Sequence, residues 1–187
     1  QEPPEADYLV IESTYGNRLH ETLNPEIQLA DVINRTIKRG GVVLIPAFAV
    51  GRTQMLLYYI QQLKAKNKIP DIPVFVDSPM ATNATEIFSR HASENRLTTE
   101  QSAVVCNVAQ YIRSVDESIA LGRQKMPMII ISASGMATGG RVVHHIRSFA
   151  SNYKNTILFA GFQAGGTRGD RIIRGEKEVK MFGQLVS

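Results

Sequence analysis

The sequence predicts an α/β fold built on a doubly wound, mainly parallel sheet, and three observations carry that expectation. Short, almost wholly apolar runs recur along the chain, as strands covered on both faces require. Helix-length segments separate them, with apolar residues near every third or fourth position. Polar or glycine-containing loops follow each run, and in such sheets that edge is where ligands bind.

The first run is YLVI at residues 8–11. Residues 25–39 then bring Ile27, Leu29, Ala30, Ile33 and Ile37 toward one side of a helix, which Gly40 and Gly41 stop. VVLIP at residues 42–46 is the second strand, residues 51–64 return to the helical pattern, and VFVD at residues 74–77 is the third strand. Residues 92–108 fit neither period. SVDESIAL sets Ser114 three residues before Glu117, a capping box that opens a short helix. MIII at residues 128–131 is the fourth strand, residues 141–150 are the last helical segment, and TILFA at residues 156–160 is the fifth strand. At 187 residues and 43% hydrophobic content, the chain suffices for one main domain with a sizeable core.

Five loops therefore gather at the carboxyl edge of the sheet: ESTYG, AFAVGR, DSPMA, SASGMATGGR and GFQAGGTRG. In SASGMATGGR, Gly135 and Gly140 have the glycine spacing of a P-loop, but Arg141 and Val142 stand where that loop needs Lys and then Ser or Thr. A dinucleotide-type G-x-G-x-x-G is also absent. What remains is a flexible backbone around Gly140, a helix start and the Arg141 guanidinium, which together can cradle a phosphate or carboxylate. The alternative is a turn whose glycines let helix and strand pack closely.

Residues 1–140 hold 13 basic and 14 acidic residues, a net of −1, whereas residues 141–187 hold 8 against 3, a net of +5. That imbalance favours an anionic partner near the C-terminal third, nucleic acid ahead of membrane, against the plainer reading of a basic solvated face. The single cysteine, Cys106, excludes an internal disulfide framework and points to a reducing, cytoplasmic setting. No apolar stretch approaches the ~20 residues that span a bilayer, and the acidic start does not resemble a signal peptide. His20, His91, His144 and His145 form no zinc-ligand spacing. Neighbouring helical residues such as His144 and His145 point about 100° apart, so one packed and one exposed ring is expected. No G-x-S-x-G nucleophile turn is present, and Cys106 lies in an apolar run that would leave its thiol inert. Glu12, closing LVIE before STYG, could orient a catalytic group, accept a proton, or cap the turn that follows.

The segments ADYLVIESTYGNRLH, VLIPAFAVGRTQMLL, VFVDSPMA, IIISASGMATGGRVVHHI and GFQAGGTRGDRI, in that order, closely resemble the β-CASP region of metallo-β-lactamase-type ribonucleases, in the branch of the cleavage and polyadenylation specificity factor endonuclease and its bacterial relatives. The resemblance implies a Rossmann-like β-CASP domain over residues 25–174, with residues 1–24 and 175–187 as flanks belonging to a split metallo-β-lactamase domain. As an insertion, its flanks should return to one host domain, so residues 8–11 and the segment around 179–185 should leave the sheet on the same side. The lactamase part, absent from this sequence, would hold two zinc ions that activate water against an RNA phosphodiester. This chain would hold no metal and would be inactive alone.

By the same resemblance, Glu12 maps onto the acidic residue of the first β-CASP motif and would hydrogen-bond a histidine from beyond residue 187. Arg52, Arg141 and Arg168 each follow a glycine-containing loop and are the expected phosphate contacts, with Ser132 and Ser134 adding hydroxyls beside Gly140. Phe48 could stack on a base or simply pack. The implied partners are RNA, the lactamase domain of the same polypeptide and, as an open option, a second copy of the parent. Two rival readings stay open: a non-catalytic nucleotide- or phosphate-binding α/β module, and an interaction module of a catalytically dead homologue.

Overall fold

A computed structural model describes residues 4–17, 19 and 23–186; His20 lies outside them. Helix α1 (Pro25–Lys38) starts where the Asn24 side chain accepts the Glu26 N–H at 2.8 Å and Pro25 supplies a pre-set φ. Then follow β1 (Val42–Pro46), α2 (Arg52–Ala65), β2 (Val74–Asp77) and α3 (Pro79–Arg90). After a 3₁₀ turn at Ala92–Glu94 come α4 (Thr99–Cys106), β3 (Gln110–Tyr111), α5 (Val115–Leu121) and β4 (Met128–Ser132). The chain continues through α6 (Arg141–Phe149), β5 (Thr156–Ile157) and α7 (Arg168–Ile173) to a hairpin of β6 (Val179–Met181) and β7 (Gln184–Val186).

The first five strands pair in parallel in the order β3-β2-β4-β1-β5, while β6 and β7 pair antiparallel. The pleat divides the apolar residues of the central strands between two layers. Val43, Ile45, Val76, Ile129 and Ile131 pack with α1, α2 and α4, whereas Leu44, Phe75, Met128 and Ile130 pack with α5 and α6. Helices thus cover both faces, which is why these strands read as unbroken apolar runs. Strands β1 and β4 lie side by side at the centre, and the chain leaves them toward opposite faces through α2 and α6. Their carboxyl ends therefore flank a topological switch point.

Several boundaries differ from expectation. Residues 8–11 form no strand: Tyr8, Leu9, Val10 and Ile11 are exposed, and no described strand offers them a hydrogen-bonding ladder. Residues 8–11 and 179–185 both lie outside the five-stranded sheet. The fifth strand shortens to Thr156–Ile157, since an edge strand has a ladder on one side only; the Leu158 N–H still reaches the Leu44 carbonyl at 2.8 Å. Helices α3, α4 and α7 and the two-residue β3 add to the expected elements; α3 opens on a Ser78 cap with Pro79 in its first turn, and α4 and β3 are short. The capping box forms, with Ser114 Oγ accepting from Glu117 N at 3.1 Å and the Glu117 carboxylate from Ser114 N at 2.8 Å.

Candidate functional site

At the switch point the β1–α2 and β4–α6 loops interlock. The Ala47 N–H donates to the Ser132 carbonyl at 3.0 Å. Gly135 lies so close to Phe48 that a Cβ there would stand 2.9 Å from the ring and 3.0 Å from the Phe48 nitrogen. Gly140 has φ +78°, and a Cβ would meet the Ala133 carbonyl oxygen at 2.5 Å. Both positions require glycine for close packing, as the second reading of this loop held. The helix starts also satisfy much of their own donor capacity. Val142 N reaches Ala133 O at 3.2 Å and Val143 N reaches Gly140 O at 3.3 Å. Gly51 N is met by the Gln54 side chain at 2.7 Å, and Thr53 N by Phe48 O at 3.2 Å. An anion cradle built from these N–H groups is therefore not preformed.

Beneath this edge lies a polar cluster that sequence reasoning missed. Asp77, at the end of β2, is fully buried. Its Oδ1 accepts from Arg141 Nη1 at 2.7 Å, and its Oδ2 accepts from Ser118 Oγ and pairs with His145 Nε2, both at 2.5 Å. Burial, the largest single influence, pushes the Asp77 carboxyl up, but the hydrogen bonds from His145, Ser118 and Arg141 together outweigh it and hold it below the ordinary carboxylate value. His145 Nδ1 is buried without a hydrogen-bond partner among the described residues. With the ring proton on Nε2, directed at Asp77, no imidazole donor is left unpaired. The cluster joins β2, α5 and α6, and the partners of Asp77 lie 41 to 68 positions from it, so periodicity could not reveal it. The one available signal was a carboxylate closing an apolar strand.

The sequence-predicted residues divide. Ser132 is buried and its hydroxyl donates to the Asp77 carbonyl at 2.7 Å, because β4 extends through it; it faces the sheet and not solvent. Arg141 turns inward, adding hydrogen bonds to the carbonyls of Ile112 at 3.2 Å and Arg113 at 2.9 Å. Arg52 donates to the Ala160 carbonyl and lines an apolar groove with Tyr15, Met55 and Tyr59. Arg168 donates to the carbonyls of Ala137 and Lys180. Arg141 and Arg168 share one groove with Gly140, but Arg52 does not line it. Arg52 is thus set apart from the other two expected phosphate contacts, because α2 leaves the sheet on the face opposite α6.

Ser134 is half-buried, its hydroxyl 3.2 Å from that of Thr138. Phe48 is half-exposed at the loop junction. Glu12 is exposed, and its carboxylate accepts the Thr14 N–H at 2.7 Å; hydrogen bonds from Thr14 lower its pKa. His145 is packed and His144 exposed, as the helical geometry required. Burial raises the Cys106 thiol, which leaves less thiolate.

Among the described residues, no three His, Cys, Asp or Glu side chains come together to hold a metal ion. Asp77 and His145 engage each other, with Arg141 on the remaining oxygen. The donor set does not fit zinc. No helix of the described residues is long and apolar enough to cross a membrane.

Fold and site together define a three-layer α/β domain whose β1–α2 and β4–α6 loops interlock at the sheet switch point, with a basic groove beside them. The family pattern of the Beta-Casp domain matches residues 53–172, and the chain belongs to that family. It is 35% identical over 195 residues to transcription termination factor FttA of Methanosarcina mazei, covering 97% of this chain and 30% of that protein. It is 32% identical over 191 residues to ribonuclease TTHA0252 of Thermus thermophilus, covering 98% and 44%, and 36% identical over 193 residues to an RNase J-like protein of Methanocaldococcus jannaschii, covering 95% and 42%. The chain thus spans less than half the length of these relatives.

Proposed function

We propose that this chain is the β-CASP part of a zinc-dependent ribonuclease and forms the RNA-facing wall of its cleft. In this reading residues 25–174 are the β-CASP domain, and residues 1–24 and 175–187 belong to a metallo-β-lactamase domain whose own side chains hold the zinc ions. The observation that carries the reading is the concave surface beside the β4–α6 loop, lined by Gly139, Gly140, Arg141 and Arg168 next to the switch point of the sheet. Ribonucleases among the similar proteins support it. Arg168 and Ser134 contact phosphate beside the Gly140 turn. Arg52, Ser132 and Arg141 act one step back, holding the loops through the hydrogen bonds described above. Glu12 orients a catalytic group from outside this chain, and the cytoplasm is the setting.

The test is cleavage of end-labelled RNA by the full polypeptide, wild type against Glu12→Gln. Turnover falls on the order of 10²-fold, the lower range for general acid–base catalysis, while KM changes little. Unchanged turnover with a lowered melting temperature would show Glu12 to be only the cap of its own turn. No RNA cleavage by the wild type would overturn the ribonuclease reading itself.

A further inference from the structure

Three concave surfaces join end to end around the start of α6. One, of about 450 Å³, is lined by Arg168, Arg171, Lys180 and Phe182. The next, of about 340 Å³, shares Arg168 and Phe182 and adds Arg141 and His144. The third, of about 610 Å³, shares Arg141 and His144 and runs between α5 and α6 past Arg123 and Arg147. Among the described residues, no Asp or Glu lines any of the three.

The charges along this path are unequal. Arg141 is balanced by Asp77 and Arg171 by Glu176. Arg168 bonds only to carbonyls, which leave its charge uncompensated. Lys180, Arg123 and Arg147 have no ion pair among the described residues. Four net cations therefore line a path that no carboxylate interrupts.

At its middle stands an aromatic pair. The Phe182 ring lies 4.4 Å from His144, tilted by 32°, and is 52% exposed. Its backbone has φ +50°, a left-handed conformation that a bulky side chain rarely adopts. A strained, half-exposed aromatic at a hairpin turn, held against a histidine and bracketed by cations, has the composition of a base-stacking platform.

We infer that this trough binds single-stranded RNA, with phosphates on Arg123, Arg147, Arg168 and Lys180 and a base on the Phe182–His144 pair. The inference rests on the RNA reading above and extends it from the groove beside the switch point around α6. A small phosphate would need two of these cations, not four spread over three cavities. A duplex keeps its bases stacked inside and could not use the aromatic pair.

The test is fluorescence anisotropy of labelled oligoadenylate with the full chain, over a salt series. Each phosphate contact on a single strand contributes about 0.7 to the slope of log K against log salt, or roughly fivefold in affinity at about 0.1 M salt. R123A/R147A should lower the slope by about 1.4 and weaken binding on the order of 25-fold. R123K/R147K keeps the charge and should retain the slope. Phe182→Ala should weaken binding on the order of tenfold with the slope unchanged. K38A/K68A, far from the trough, should change neither. RNA binding by the wild type that survives R123A/R147A intact, or that falls equally in K38A/K68A, overturns the trough and leaves the ribonuclease reading standing. Preference for duplex over single strand overturns it too. No RNA binding by the wild type at low salt removes both the trough and the RNA-facing wall.

Discussion

Replacing Asp77 by Asn tests whether the buried cluster holds the loop edge together. The side chain keeps its shape but loses its charge, and one of the two oxygens that now accept from Arg141, Ser118 and His145 becomes an NH₂ that cannot accept. The Arg141 side chain is only 18% exposed, so its guanidinium is left largely desolvated with carbonyl partners alone. Removing one member of a buried pair typically costs about 3–5 kcal/mol. For a chain of this size, about 3 kcal/mol corresponds to a fall in Tm of roughly 6–12 °C. Urea and thermal denaturation, followed by circular dichroism, measure it. The pH profile gives a second readout. The folded-state pKa of Asp77 is depressed, so its contribution is full above the unfolded carboxylate value near 3.9 and is lost as pH falls through the lower folded value. The variant should lose that part of the acid sensitivity. A loss below about 1 kcal/mol, with an unaltered acid limb, would refute the role given to the cluster.

Two further substitutions probe local structure. Gly140→Ala should destabilise by about 2–4 kcal/mol, combining the left-handed backbone with overlap on Ala133 O, whereas Gly139→Ala, whose Cβ meets nothing within 4 Å, should stay within about 0.5 kcal/mol; paired thermal melts compare them. Ser114→Ala removes the acceptor of the Glu117 N–H and should cost about 1 kcal/mol in urea denaturation, with faster amide exchange across α5.

The sequence by itself determined the layered α/β class, since β1, β2 and β4 are unbroken apolar runs that only a sheet covered on both faces accommodates. It also determined the capping box at Ser114 and the divergence of His144 and His145, because these follow from spacings within a turn or two of helix. Tertiary structure decided the rest. Whether residues 8–11 pair as a strand depends on a neighbour that local pattern cannot supply. Ser132 and Arg141 read as ligands because they border a glycine loop, yet Ser132 hydrogen-bonds the Asp77 backbone and Arg141 neutralises its buried carboxylate. The basic trough likewise needs α5, α6, α7 and the β6–β7 hairpin to meet. Periodicity encodes which face of an element is buried. A buried charge instead takes its partners from wherever the fold brings them, and that long-range pairing left no pattern along the chain.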